Sequence, residues 1–138
     1  MNRKIISVQA LINAPVEKVW KFYTEPKHII KWNNASDDWY TPKAKNDLKV
    51  GGRFLFRMEA RDGSAGFDFT GIYNEVKINE LIEYSIEDVR KVKITFAKHN
   101  HKTFIKIVFE AESINSIEMQ RDGWQDILNN FKKYVEEN

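Results

Sequence analysis

The sequence has no cysteine among its 138 residues, and this absence excludes disulfide bonds, thiol catalysis and thiolate metal ligands. It also lacks an excess of charge of one sign, because 22 basic residues balance 20 acidic ones. A net charge of +2 argues against nucleic acid or an acidic membrane as a partner. No apolar run is long enough to span a bilayer, and the first residues lack the pattern of a signal peptide. We therefore expect one domain over residues 1–138, located in the cytoplasm.

Catalytic and metal-binding signatures are scarce as well. The sequence contains no nucleophile elbow, phosphate-binding loop or zincin helix. His99 and His101 lie between lysines in a predicted turn without a nearby carboxylate, so we expect them to be solvated rather than metal ligands. The acidic pairs Asp37–Asp38 and Glu87–Asp88 are adjacent, and on an extended strand their side chains would point to opposite faces. We therefore predict no metal, no cofactor and no catalytic residue.

Aromatic residues, in contrast, are abundant. They make up 13% of the chain, with four Trp and nine Phe. Aromatic side chains in such numbers either fill a hydrophobic core or line a pocket. Which of the two roles applies depends on the faces of the strands and helices on which these side chains lie.

The spacing of apolar residues predicts strands joined by tight turns, with two short helices after the first strand. Pro15 and Pro26 mark the helix starts, and the turns are carried by Gly51-Gly52, the segment RDGSAG and Asn79-Glu80. No strand is predicted in the polar stretch that follows the second helix. Short consecutive strands of this kind form an antiparallel sheet. The predicted strands are Lys4–Ile12, Val50–Glu59, Phe67–Ile78, Leu81–Asp88, Val92–Lys98 and Thr103–Ala111.

The last segment predicts a long amphipathic helix that begins near Ser116. Its apolar stripe is about 120° wide at the helical 100° per residue, so the helix must lie across the sheet. Gly123 at the edge of the stripe suggests a close approach of the helix backbone to a strand, or a bend in its first turn. Trp124 either fills the core or roofs a cavity, and the inward-facing Gln120 needs a partner or a wet cavity. The stripe comprises Ile117, Trp124, Ile127, Leu128, Phe131, Tyr134 and Val135.

Four segments in order resemble one known family. They are APVEKVWKFYTEPKHIIKW, NDLKVGGRF, GIYNEVKINELIEYSI and GWQDILNNFKKYV. The sequence resembles stand-alone members of the family named for the activator of the heat-shock protein 90 ATPase, within the START/birch-pollen-allergen-like (SRPBCC) superfamily. The resemblance implies an α+β helix-grip fold, in which a curved antiparallel sheet wraps around a long C-terminal helix and encloses an apolar cavity. It carries over no catalytic residue, because proteins of one fold differ in function.

Three functions remain open at this point. We expect a non-catalytic binder of a small hydrophobic molecule, lipid-like or resembling an aromatic polyketide, in a monomer or weak dimer. The alternatives are a chaperone co-regulator and a cyclase- or aromatase-like enzyme. The lack of the extra N-terminal domain of chaperone-activating members disfavours the co-regulator, and the lack of an ionisable constellation disfavours the enzyme. The predicted cavity residues are Trp39, Phe54, Phe56, Met58, Tyr84, Gln120, Trp124 and Ile127.

Overall fold

The computed structural model describes residues 3–86 and 89–138. It contains seven strands and three helices, and the two short helices follow the first strand as predicted. In chain order the elements are β1 (Ile5–Ile12), α1 (Val16–Thr24), α2 (Pro26–Trp32), β2 (Trp39–Asn46), β3 (Arg53–Ala60), β4 (Gly66–Lys77), β5 (Leu81–Ile86), β6 (Lys91–His99), β7 (Lys102–Glu110) and α3 (Ile117–Glu137).

The strands form one antiparallel sheet in the order β1-β7-β6-β5-β4-β3-β2. The strands from β2 to β7 run as a meander, and β1 closes the sheet by pairing with β7 along its whole length. Apolar side chains alternate along the central strands, so one face of the curved sheet is buried and the other is solvated. The α+β helix-grip prediction is confirmed.

The long helix α3 begins and ends where the sequence predicts. Ser116 is its N-cap, and the Ser116 hydroxyl accepts a hydrogen bond of 3.1 Å from the amide of Met119. Side chains of α3 also bond the free backbone edge of β1. The side chain of Gln125 bonds both the amide and the carbonyl of Gln9, and Lys132 donates to the carbonyl of Leu11. These bonds protect an edge that another strand could otherwise pair with.

Strand β2 corrects the sequence analysis, which predicted no strand there. Residues Trp39–Asn46 pair with β3, and the register shifts between Tyr40 and Lys43. The strand was missed because it is polar, carries Pro42 and lies at the edge of the sheet, where proline is tolerated and only one face is covered. Pro15 is a second, smaller difference, because it is the N-cap of α1 rather than its first residue.

Helices α1 and α2 pack against the C-terminal half of α3. The Trp32 ring lies 4.8 Å from the Phe131 ring, and Tyr23 meets the same ring at 5.1 Å. Asn130 donates a hydrogen bond to the carbonyl of Trp32, and the Tyr134 hydroxyl bonds Nδ1 of His28 at 2.8 Å. All of these contacts fall on residues 130–134 of α3, so the two short helices fill only one end of the space beneath it.

Candidate ligand cavity

A cavity of about 440 Å³ lies beneath the N-terminal half of α3. Its walls come from the concave faces of β3, β4 and β5, and its inner end reaches α1 and α2. Most of the lining is apolar and aromatic. The apolar and aromatic residues of the lining are Tyr23, Trp32, Ala35, Phe54, Phe56, Met58, Phe67, Phe69, Tyr73, Ile82, Tyr84, Ile86, Ile94, Ile107, Trp124, Ile127, Leu128 and Met119.

Phe54 organises the aromatic wall. Its ring stacks on Phe56 at 4.8 Å and meets Tyr84 edge-on at 4.8 Å, both favourable ring geometries. The ring lies directly over Gly71 of β4. A Cβ at Gly71 would come within 2.5 Å of the Phe54 ring and 2.9 Å of the Ser85 carbonyl. Only glycine at position 71 therefore lets Phe54 lie flat against the sheet.

The roof of the cavity is formed by Gly123, Trp124 and Ile127. Trp124 is half-buried and stacks on Phe109 of β7 at 4.1 Å, so it is anchored on one side and borders the cavity as well. Gly123 corrects our expectation of a close backbone approach, because a Cβ built there would meet nothing within 4 Å. The glycine is not needed for packing against a strand. It leaves open space at the roof.

Gln120 is buried, as expected from its place on the stripe, but its role differs from the expectation. Its Oε1 accepts a hydrogen bond from the amide of Glu112, and its Nε2 donates to the carbonyls of Glu112 and Asn115. The side chain therefore fixes the connection between β7 and α3. Although Gln120 borders the cavity, its amide is already paired with the backbone, so its burial does not require a ligand.

Three tyrosines meet at the inner end of the cavity. Tyr73 and Tyr84 are direct cross-strand partners on β4 and β5, with ring centroids 6.2 Å apart, and Tyr23 comes from α1. The Tyr73 hydroxyl donates to Oδ1 of Asn46 at 2.5 Å, and Nδ2 of Asn46 donates to the carbonyl of Thr24 at 2.7 Å. This chain of bonds ties β4 to β2 and to the end of α1.

Burial keeps these phenols protonated. Desolvation raises the pKa of Tyr23, Tyr73 and Tyr84 well above the ordinary tyrosine value of about 10. The charge that an ionised Tyr73 would carry raises the pKa of Tyr23 further, and the charge of an ionised Tyr23 or Tyr73 does the same for Tyr84. At neutral pH the inner end of the cavity therefore presents neutral hydroxyl groups.

The other end of the cavity reaches the surface. Phe67 and Met119 line it there, and their side chains are 50% and 62% exposed. Arg90 and Glu112 also line this outer end. Among the described residues, the entrance is thus bordered by apolar side chains together with one basic and one acidic residue.

The structure brings most of the predicted cavity residues together. Trp39 is the exception, because it lies outside the cavity. It belongs to strand β2, and its ring centroid lies 6.0 Å from that of Phe67 on β4. Met58 lines the cavity, and its sulfur accepts hydrogen bonds from the side chains of Thr41 and Asn33. The predicted residues that do line the cavity are Phe54, Phe56, Met58, Tyr84, Gln120, Trp124 and Ile127.

Several lining residues were not predicted from the sequence. Phe69 and Tyr73 share the alternation of the segment FDFTGIY, and this period of two could have placed them beside Gly71 on the concave face. Tyr23 lies on α1 and was not assigned to the cavity from the sequence. No sequence pattern pointed to Asn46 as a cavity residue, because it lies on β2, the strand that was not predicted.

The residues considered for other chemistry lie elsewhere. His99 and His101 are exposed at the turn between β6 and β7. In residues 3–86 and 89–138, no group of three or more His, Asp or Glu side chains is placed to hold a metal ion. The pair Glu87–Asp88 lies outside the described residues. No helix in the described part of the chain is both long and apolar enough to cross a membrane.

A curved antiparallel sheet closed by one long helix over an apolar cavity defines a helix-grip protein of the SRPBCC superfamily. Within that superfamily, the chain belongs to the family described as activator of Hsp90 ATPase homolog 1-like proteins, because the family model matches residues 13–136. No protein of curated function matches the sequence significantly.

Solved structures agree with this assignment. The chain is 42% identical to an AHSA1-like protein from Aeromonas hydrophila, with a TM-score of 0.91 over 97% of this chain and 93% of that one. It is 51% identical to protein Chr148 from Cytophaga hutchinsonii, with a TM-score of 0.84 over 96% and 92% of the two chains. Protein CV1439 from Chromobacterium violaceum is 24% identical and has a TM-score of 0.87 over 96% and 98%, which shows a shared fold.

Proposed function

We propose that this protein binds a small, mainly apolar molecule in the cavity between the sheet and α3, without transforming it. The observation that carries the proposal is the cavity itself. Its volume of about 440 Å³ falls within the roughly 300–1,000 Å³ typical of small-molecule sites. A core of tightly packed side chains would leave few voids larger than a water molecule.

The lining supports binding of an apolar ligand rather than a polar one. Flat walls such as the Phe54–Phe56 stack and the Trp124 ring offer large apolar contact surfaces. A ligand of about 20 non-hydrogen atoms that gains about 0.3 kcal/mol per atom would reach about −6 kcal/mol, a dissociation constant of tens of micromolar. Aromatic polyketide-like molecules and fatty acids are the ligand classes that match these walls.

The polar groups of the cavity support a binding role rather than catalysis. Glu112 is the acidic residue among the described lining, and both of its carboxylate oxygens accept hydrogen bonds from Asn115. The tyrosines are held neutral, and none of the hydrogen bonds of Tyr23, Tyr73 or Tyr84 within the described residues reaches a carboxylate or an imidazole. Nucleophilic and general acid–base catalysis both need such a partner.

A variant that fills the cavity provides the test. Gly123→Leu would place a leucine in the open space at the roof, whereas Asp126→Leu adds the same side chain on the exposed face of the same helix. We would titrate both variants and the parent protein with flavonoids, fatty acids and polyketide-like aromatics by calorimetry. We expect at least one compound to bind more tightly than 1 mM to the parent and to Asp126→Leu, and at least tenfold more weakly to Gly123→Leu.

Two results would overturn the proposal. One is the absence of binding below 1 mM across the panel, and the other is equal binding by both leucine variants, which would place the ligand elsewhere. The family description then makes stimulation of the Hsp90 ATPase the next activity to measure. Stimulation that is unchanged in Gly123→Leu would favour a surface interaction over the cavity.

A further inference from the structure

Among the described residues, two hydroxyl groups in the cavity lack a hydrogen-bond partner. Tyr84 is only 7% exposed, yet its hydroxyl forms no hydrogen bond within residues 3–86 and 89–138. The hydroxyl of Tyr23 also forms no hydrogen bond in this part of the chain. In this part of the chain no fully inaccessible side-chain nitrogen or oxygen is left unpaired. The unpaired hydroxyls must therefore touch accessible space. Because both residues line the cavity, that space is the cavity.

Aromatic contacts position the two rings that carry these hydroxyls. Tyr84 is held between Phe54 at 4.8 Å and Phe69 at 6.4 Å, and Tyr23 is stacked on Trp32 at 5.1 Å. The neighbouring Tyr73 is not available, because its hydroxyl is bound to Asn46. The fold thus presents two preorganised polar groups in an apolar wall and satisfies the third internally. Because these two hydroxyls have no partner in the protein and face the cavity, they are available to a bound ligand, and such a pair indicates a ligand contact.

We propose that the hydroxyls of Tyr23 and Tyr84 form the polar subsite of the cavity and donate hydrogen bonds to a neutral acceptor oxygen, such as a ketone, quinone or ester carbonyl. This inference rests on the proposed function, because it assigns the orientation and class of the ligand bound in the same cavity. A carbonyl oxygen has two lone pairs and carries no proton, so it matches two phenolic donors. A ligand hydroxyl or amine at this place would bring donors of its own.

The charges of the cavity favour a neutral ligand group. Arg90 is the basic residue in the described lining, and it follows the outer end of β5 rather than the tyrosine end. A carboxylate placed between Tyr23 and Tyr84 would therefore be buried without a cation beside it, which is strongly unfavourable. The opposite arrangement, with a cationic ligand, would need an acidic partner, and Glu112 also lies at the outer end.

A matched pair of ligands tests the inference. Fluorenone and fluorene share one flat tricyclic frame, and only fluorenone carries a carbonyl. We would measure the affinity of both compounds for the parent protein, Tyr84→Phe, Tyr23→Phe and the control Tyr40→Phe. Phenylalanine preserves the ring and removes only the hydroxyl. Tyr40 lies outside the cavity lining and donates to Glu59, so its substitution controls for a general effect of losing a phenol.

We expect the preference for fluorenone over fluorene to fall about three- to tenfold in Tyr84→Phe and in Tyr23→Phe, as loss of one hydrogen bond implies. Tyr40→Phe should keep the parent preference. The preference is the ratio of the affinities for fluorenone and fluorene. The two compounds differ in hydration, but this difference is the same for every variant and cancels when the ratio is compared with that of the parent protein. The infrared carbonyl stretch of bound fluorenone gives an independent readout, because hydrogen bonding lowers its frequency and either cavity substitution should raise it again.

The outcomes separate the two proposals. If both compounds bind, Gly123→Leu weakens them and neither phenylalanine variant changes the preference or the carbonyl frequency, the tyrosine subsite is wrong and the cavity stands. If neither compound binds to the parent protein, the binding of flat apolar molecules fails together with the subsite. Should one phenylalanine variant not fold, as judged by circular dichroism, the other one decides the question.

Discussion

The two halves of helix α3 carry the same apolar stripe but face different surroundings. In the C-terminal half, Phe131 and Val135 are completely buried. In the N-terminal half, Trp124 lies seven residues before Phe131 and thus on the same side of the helix, but it is only partly buried because it borders the cavity, as does the partly buried Ile127. Leu128 lies at the boundary and belongs to both regions. The filled half holds the helix on the sheet, and the hollow half leaves room for a ligand.

The difference arises from the elements that pack against α3 rather than from α3 itself. Helices α1 and α2 bring Tyr23 and Trp32 against Phe131, and their other contacts also reach the C-terminal half. In the described structure, neither short helix lies beneath Trp124. The sheet curves away from the helix at that place. A single amphipathic pattern can therefore support both a packed core and a binding site, depending on what the rest of the chain places against it.

The largest effect is expected from a substitution that disrupts packing in the filled half. We expect Phe131→Ala to lower the free energy of unfolding by about 3–5 kcal/mol, because it deletes a fully buried ring that packs against both Tyr23 and Trp32. Urea denaturation followed by circular dichroism measures this loss. As a comparison, Ile127→Ala on the hollow half should cost clearly less. Equal losses at the two positions would show that the two halves are packed alike.

The second prediction contrasts a paired hydroxyl with an unpaired one. Tyr73→Phe should lower the free energy of unfolding by about 1–3 kcal/mol, because it leaves Oδ1 of Asn46 without its partner. Tyr84→Phe removes a hydroxyl that has no partner, so in the absence of ligand it should be neutral or slightly stabilising. Thermal and urea unfolding of the two variants give the answer. A loss at Tyr84 as large as that at Tyr73 would contradict the open hydroxyl.

The third prediction concerns alkaline pH. Because burial raises the pKa of Tyr84 in the folded state, the unfolded chain releases that proton first, and stability falls as the pH rises above about 10. At pH 11 this group accounts for about 1.4 kcal/mol of the loss. Between pH 9 and 11, Tyr84→Phe should therefore lose about 1.4 kcal/mol less than the parent protein. Parallel pH profiles of the two proteins would show that Tyr84 is not buried in the way described.

The smallest effect concerns the roof. Gly123→Ala should raise the free energy of unfolding by about 0.5–1 kcal/mol, because alanine favours the helix and its Cβ meets nothing within 4 Å. A close approach of the helix to a strand at this position predicts a loss instead. The sign of the change in urea midpoint distinguishes the two.

The sequence predicted the elements whose apolar periodicity is strong. The alternation in β1, β6 and β7 and the stripe of α3 each follow from one buried face, and the fold that they imply is confirmed. Strand β2 was not predicted, because an edge strand that carries Pro42 has neither an alternation of apolar and polar residues nor a full set of hydrogen bonds.

The candidate site was less accessible to sequence reasoning. A stripe residue looks the same whether it meets a side chain or a cavity, so Trp124 and Phe131 were equivalent until their surroundings were known. The partners of Gln120 are backbone groups brought close by the turn before α3, and no spacing rule reveals them. The free hydroxyls of Tyr23 and Tyr84 depend on contacts between distant segments.

Methyl NMR spectroscopy of the protein with bound fluorenone tests the central claim most directly. Intermolecular NOEs would locate the ligand against methyl groups of the hollow half, such as Ile82 and Ile127, or of the filled half, such as Ile12 and Val135. We predict NOEs from fluorenone to Ile82, Ile127 and Met58, and none to Ile12 or Val135. NOEs confined to exposed groups such as Ile5 and Ile78 would contradict the claim that the hollow half of the helix–sheet interface is the binding site.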